Sequence, residues 1–83
     1  MKISFCLPIY NVETFLEKCI LSIENQNINE EYEIFCIDDC STDKSFNKIK
    51  DLSKKYESIR IEKNDKNKGV SYTRNRLLKE AKG

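Results

Sequence analysis

The stretch Phe35-Cys36-Ile37-Asp38-Asp39-Cys40-Ser41-Thr42-Asp43 decides the fold. It begins as an apolar run without alternation, which suits a strand buried on both faces of a parallel sheet. Two carboxylates follow where the strand leaves the sheet. Beyond them, Ser41 or Thr42 is placed to cap a helix carrying Phe46, Ile49, Leu52 and Tyr56 on one face. The stretch therefore reads as strand, acidic turn, helix. In open α/β sheets, ligands bind at such turns, beyond the carboxyl ends of the strands. The same residues also suit a plain capping turn, with Asp38 and Asp39 solvated or set against the helix N-terminus.

Working back toward the N-terminus, residues 3–9 form a compact apolar run that reads as strand one, ending near Pro8, which cannot donate to a ladder. Tyr10 and Asn11 occupy the turn, with Asn11 as the N-cap and Glu13 favouring the positive helix end. Val12, Phe15, Leu16, Cys19, Ile20 and Ile23 recur at helical spacing, predicting a helix to about Asn25. A polar connection, residues 25–31, leads to strand two at 33–38.

Working forward, Lys44, Lys48, Lys50, Lys54 and Lys55 mark a solvated face of helix two. Residues 59–62 alternate, as expected of a strand near a sheet edge. Residues 64–69 form a polar loop. Helix three starts near Gly69, with Val70, Thr73, Leu77 and Ala81 on one side, Arg74 in its first turns and Gly83 as its C-cap. The order βαβαβα, with right-handed crossovers, predicts an α/β three-layer, Rossmann-like fold with a parallel sheet in order 3-2-1. All three strand-to-helix turns then open on one edge, and that convergence favours a site over a capping turn.

With 83 residues the chain is one small domain, and a net charge of +1 suggests neither nucleic acid nor an anionic membrane as partner. No apolar run approaches the roughly 20 residues needed to span a bilayer. The N-terminus shows no signal-peptide pattern, so a cytoplasmic protein is expected. Four cysteines with no CxxC spacing and no histidine exclude the usual structural zinc patterns. Cys6, Cys19 and Cys36 read as small buried hydrophobes, whereas Cys40 lies in the candidate ligand turn. Neither GxGxxG nor GxxxxGK[ST] occurs, so the glycine-based dinucleotide and phosphate loops are absent.

Three segments in order resemble the N-terminal half of family 2 inverting glycosyltransferases of the GT-A fold. Leu7-Pro8-Ile9-Tyr10-Asn11-Val12-Glu13 is similar to a P-x-Y-N-x-E opening. Ile37-Asp38-Asp39-Cys40-Ser41-Thr42-Asp43 is similar to a [ND]-D-G-S-T-D turn. Asn67-Lys68-Gly69-Val70-Ser71-Tyr72-Thr73-Arg74-Asn75 is similar to N-x-G-x-S-x-A-R-N. The resemblance covers almost the whole chain. It implies that residues 1–83 are the nucleotide-binding part of a larger domain whose donor is usually a UDP-sugar. Pro8 and Tyr10 would lie against the base, Glu13 belongs to the same opening motif, and Asp39 would accept hydrogen bonds from base or ribose. Arg74 would stand near the pyrophosphate; a surface salt bridge is the plainer role for it.

Two departures stand out. Cys40 replaces a glycine, so a positive φ there would be strained. Leu77 replaces a glycine within helix three and should change only packing. The family's D-x-D motif and catalytic base would lie beyond Gly83. The resemblance thus implies a divalent metal, Mn or Mg, in the full-length enzyme, with none held by this chain. It also implies inverting transfer to a glycan or lipid-linked acceptor, and a place at the inner face of the membrane. With no fourth strand beside it, strand one should be an open apolar edge that recruits a second copy. A nucleotidyltransferase-like domain and a non-enzymatic receiver domain are the alternatives.

Overall fold

The computed structural model describes residues 2–26 and 29–81. The expected C-cap Gly83 and the Asn27-Ile28 part of the first connection lie outside them. Three strands, β1 (Lys2–Ile9), β2 (Glu31–Asp38) and β3 (Ile59–Lys63), alternate with three helices, α1 (Glu13–Glu24), α2 (Ser45–Lys55) and α3 (Val70–Glu80). The strands are parallel with β2 in the centre, flanked by β1 and β3. This is the expected order, read from the other edge.

Strand β2 is buried on both faces from Glu33 onward, because helices cover it on both sides. Its even-numbered residues Ile34 and Cys36 join Ile9, Leu16, Ile20, Ile23, Ile49, Leu52 and Ile59 in one apolar cluster with α1 and α2. Its odd-numbered residues Phe35 and Ile37 meet Leu77 of α3 on the other face. Each such side chain, fully withdrawn from water, contributes roughly 1.5–3 kcal/mol. Two right-handed crossovers put α1 and α2 on the same face, and α3 then returns across the opposite face toward β1.

Two expectations fail within these elements. Cys19 is exposed rather than buried, since it sits at the border of the α1 apolar stripe and not at its centre. Cys6 is half-buried rather than buried, on the strand beside buried Cys36; the register pairs Cys6 with Phe35, so the two thiols point to opposite faces. All four cysteines are free.

Candidate nucleotide-binding site

The three strand-to-helix turns meet at the carboxyl edge of the sheet, and side chains stitch them together. Asn11 adopts φ 52°, a left-handed conformation that asparagine tolerates better than most residues. Its Oδ1 accepts the backbone N–H of Thr42 at 2.8 Å and of Asp43 at 3.3 Å, and the Thr42 hydroxyl at 3.2 Å. Its own N–H donates to Ser41 Oγ at 3.1 Å. Ser41 in turn donates to both oxygens of Asp38, through its hydroxyl at 2.6 Å and its N–H at 3.0 Å.

Helix capping runs between turns for α1 and within the second turn for α2. The α1 N-terminus is satisfied from the second turn: Val12 N–H donates to Ser45 Oγ at 2.9 Å and Glu13 N–H to Asp43 Oδ2 at 3.2 Å. Asn11, expected as that cap, has its acceptor oxygen committed to Thr42 and Asp43. Neither Ser41 nor Thr42 caps α2. The Asp43 carboxylate does so by accepting Ser45 N–H at 2.9 Å. The Ser45 hydroxyl and backbone bonds together hold the Asp43 carboxyl below its ordinary pKa.

Asp39 is the centre of the second stitch. Side chains alternate along β2, so Asp38 falls on the α1/α2 side and Asp39 on the α3 side with Phe35 and Ile37. Only 4% exposed, Asp39 accepts Lys68 N–H at 2.7 Å and Asn64 Nδ2 at 2.8 Å on Oδ1, and Gly69 N–H at 2.9 Å on Oδ2. Burial pushes its carboxyl up, but the Lys68 N–H, the Asn64 amide, the Gly69 N–H and the Thr73 hydroxyl outweigh burial and hold it below the usual carboxylate range. Asp39 is therefore a buried anion at neutral pH. Gly69 can aim its N–H this way because it sits at φ 90°, where an L side chain is strained. Cys40 takes φ 57°, the positive value anticipated as strained, and donates its thiol to the Asn64 carbonyl at 3.5 Å.

Beside Asp39 lies a cavity of about 320 Å³, at the small end of ligand pockets. Pro8, Ile9, Tyr10 and Val12 line it from the first turn, and Asn67, Gly69, Val70 and Thr73 from the third. Of the residues singled out in the sequence, Pro8, Tyr10 and Asp39 share this cavity. Tyr10 is 43% exposed, so its ring is available at the rim. Arg74 is exposed on α3 and is not among the lining residues. Glu13 lies elsewhere: its Oε1 accepts Lys44 N–H at 3.2 Å and its carbonyl accepts Lys48 Nζ at 3.1 Å, beside α2. Val70 and Thr73, read as packing positions of helix three, and Asn64, read as part of a polar loop, belong to the site: Asn64 and Thr73 bond the carboxylate and Val70 lines the cavity. The period-two alternation of β2, carried one residue past its end, was the signal that assigns Asp39 to the α3 side.

The sequence matches the family described as "Glycosyl transferase family 2" over residues 4–83. The chain belongs to this family. It is 42% identical over its whole length to a poly(ribitol-phosphate) beta-glucosyltransferase of Bacillus spizizenii, covering 13% of that protein. It is 37% identical, again over its whole length, to a dolichol-phosphate mannosyltransferase of Pyrococcus furiosus, covering 23% of it. Crystal structures of S. aureus TarS 1-349 superpose on the whole chain at 30% identity. The complex with UDP gives a TM-score of 0.87 over 25% of the TarS 1-349 chain, and that with UDP-GlcNAc 0.88 over 24% of it. The architecture is thus the N-terminal part of a GT-A fold, and the chain spans about a quarter or less of these relatives.

Among the described residues no group of three or more His, Cys, Asp or Glu side chains could hold an ion. The oxygens of Asp38 and Asp39 face N–H and O–H donors, an environment built for a carboxylate accepting hydrogen bonds. No described helix is long and apolar enough to cross a membrane.

Proposed function

We propose that this chain is the donor-nucleotide-binding part of a family 2 glycosyltransferase that takes a UDP-sugar. The supporting observation is the buried Asp39 carboxylate, held ionised at the side of a nucleoside-sized cavity with Tyr10 at its rim. A carboxylate only accepts hydrogen bonds, and uracil and ribose supply an imide N–H and hydroxyls. Pro8 and Tyr10 lie against the base, and Asp39 takes the N–H or hydroxyl. Arg74, exposed on α3, reaches for the diphosphate with its fixed charge. Glu13 serves the site at one remove, joining the first turn to α2.

The whole enzyme transfers the sugar with inversion to a glycan or lipid-linked acceptor at the inner face of the membrane. The divalent ion and the base belong to parts of the domain beyond the 83 residues. Alone, the chain binds the nucleotide without transferring sugar. Among the described residues β1 is a sheet edge, and with the apolar groove between Leu7, Pro8 and Phe15 it supports self-association of the 83-residue chain. Family membership favours this reading over a nucleotidyltransferase or a receiver domain.

Calorimetry with UDP, with and without manganese, tests the assignment on wild type and Asp39→Ala. The expected outcome is weak, manganese-independent binding that falls roughly tenfold or more in the variant, the loss of one charge-assisted hydrogen bond. Equal binding by the two proteins refutes the site.

A further inference from the structure

Asn64 closes β3 and is 3% exposed. Every polar atom of its side chain is used. Nδ2 donates to Asp39 Oδ1 at 2.8 Å and to Thr73 Oγ1 at 2.9 Å, while Oδ1 accepts from Arg76 Nη1 at 3.0 Å. Its backbone is pinned as well, the N–H donating to the Asp38 carbonyl at 2.9 Å. A side-chain amide fits a slot either way round, and its partners select the orientation. A guanidinium has donors and no acceptor, so Arg76 requires the amide oxygen. The NH2 group is thereby turned onto Asp39. Arg76 is itself braced, with Nε donating to Glu80 at 2.7 Å and Nη2 to Glu62 at 3.1 Å.

This arrangement gives the two oxygens of Asp39 different surroundings. Oδ1 carries two N–H donors, which fills it; Oδ2 carries one N–H donor, from Gly69, and the Thr73 hydroxyl is the carboxylate's remaining donor among the described residues. The Thr73 hydroxyl beside the carboxylate is a rotor that can turn away from a competing donor. We infer that Arg76 and Asn64 are the positioning residues of this pocket: Arg76 fixes which way round the Asn64 amide lies, and the amide holds the Asp39 carboxylate with Oδ2 left to a ligand's N–H or hydroxyl. The inference rests on the nucleoside reading above. It adds two residues that touch no ligand and act through Asp39.

The titratable groups around Asp39 are few. Asp38 and Cys40 flank it on the chain, and Tyr10 shares the cavity. Lys68 holds its ammonium 5.4 Å over the Tyr72 ring, and Arg76 stands behind Asn64. Removing the Asn64 side-chain amide takes one N–H bond directly from Asp39 and leaves the Thr73 hydroxyl and Arg76 without their Asn64 partner.

The test uses the 83-residue protein, with two readouts on wild type, Asn64→Leu and Arg76→Met. One is the acid titration of the Asp39 side-chain carboxyl carbon by NMR without ligand. The other is uridine binding by ligand-observed NMR, uridine having no phosphate to titrate. Asn64→Leu should move the Asp39 midpoint upward and weaken uridine roughly tenfold near neutral pH. Arg76→Met should move both in the same direction by less, because the amide stays but loses its orientation. A merely structural role would lower the thermal midpoint and leave the Asp39 titration in place, and that result in both variants overturns the inference. Should Asn64→Leu fail to fold, Arg76→Met decides alone by the same criterion. If wild type does not bind uridine, the nucleoside reading falls while the carboxyl titration still decides the positioning claim.

Discussion

The two faces of this sheet are built on different physics. Against α1 and α2 lies a continuous apolar cluster whose buried members are aliphatic side chains and one thiol. Against α3 the buried apolar set shrinks to Phe35, Ile37 and Leu77. Polar groups fill the rest of that face. Glu33, only 6% exposed, takes the Ser4 hydroxyl at 2.5 Å and the Arg60 guanidinium at 3.4 Å. Arg60 also covers the Phe35 ring at 3.9 Å and donates to the Glu80 carbonyl at the end of α3. Beyond them come Asp39, Asn64 and Thr73, bonded to one another. Apolar burial is non-directional and tolerates small shifts, whereas hydrogen bonds fix positions to a fraction of an ångström. The first face supplies stability; the second gives up apolar area for geometry, and the cavity opens beside it.

The largest expected effect breaks this contrast directly. Ile20→Ala and Ile34→Ala remove fully buried side chains from the α1/α2 face and should each cost about 2–5 kcal/mol. Because a domain this small has only modest total stability, either change should unfold a large fraction of the protein at 25 °C. Leu77→Ala on the α3 face removes an equally buried side chain. It should cost less, toward 2 kcal/mol, since half-buried Cys6 and Ala81 can close around the gap. Urea midpoints compare the three. Equal costs would show that the α3 face is as close-packed as the other, and the contrast would be lost.

How far the contrast was legible in sequence follows from its physics. The apolar face was written in periodicity: Leu16, Ile20 and Ile23 on α1, Ile49 and Leu52 on α2, and the unbroken run in β2. Parallel topology followed from element order, and the convergence of the three turns from topology. The hydrogen-bonded face was legible only in part. Asp39, Tyr10 and Pro8 stand out because carboxylates and aromatics are conspicuous in turns. Asn64 does not, because a polar residue at a loop boundary reads as solvated until tertiary structure buries it, and Thr73 reads as a packing position of helix three rather than as a hydrogen-bonding one. The caps were misassigned for a related reason. Asn11, Ser41 and Thr42 have the right chemistry for local capping, but the two turns pack together: Ser45 and Asp43 take the orphan N–H groups of α1, and Asn11 takes the N–H of Thr42 instead. Local propensity lists candidates; only the tertiary contact chooses among them.

Acid should act first on the hydrogen-bonded turns, Asp39 beside α3 and Asp43 at the start of α1 and α2. Asp39 and Asp43 both have folded-state pKa values below the ordinary one. Each therefore binds its proton more weakly when folded than when unfolded. The stability they contribute is fully present above the unfolded carboxylate value near 4 and is lost as pH falls through the lower folded values. For buried Asp39 the loss should be about 1–3 kcal/mol, the worth of bonds to a charged group. Urea midpoints should hold from pH 7 to about pH 5 and drop below pH 4. Asp39→Asn should be less stable at pH 7 and show a shallower acid drop. An unchanged acid limb in that variant would mean that the carboxylate is not held by the Asn64 and Lys68–Gly69 donors.

The smallest effect compares the faces through their thiols. Cys36 lies in the apolar cluster, where burial first, then Cys19 and Cys6, push its pKa up to about 12. Cys6 lies on the α3 side, half-buried, with its pKa raised by burial and by the nearby Glu33 carboxylate. Cys19 is exposed on α1. The thiolate is the reactive form, so reactivity follows both exposure and pKa. A thiol reagent at pH 8, read by mass spectrometry with peptide mapping, should label Cys19 first, Cys6 more slowly and Cys36 only through opening of the fold. Adding subdenaturing urea should accelerate Cys36 more steeply than Cys6, because Cys36 is reached by opening the large apolar face and Cys6 by fluctuations at the β1 edge. If Cys36 were modified as fast as Cys6 without urea, the α1/α2 cluster would be opening locally, and it would lose its place as the more stable of the two faces.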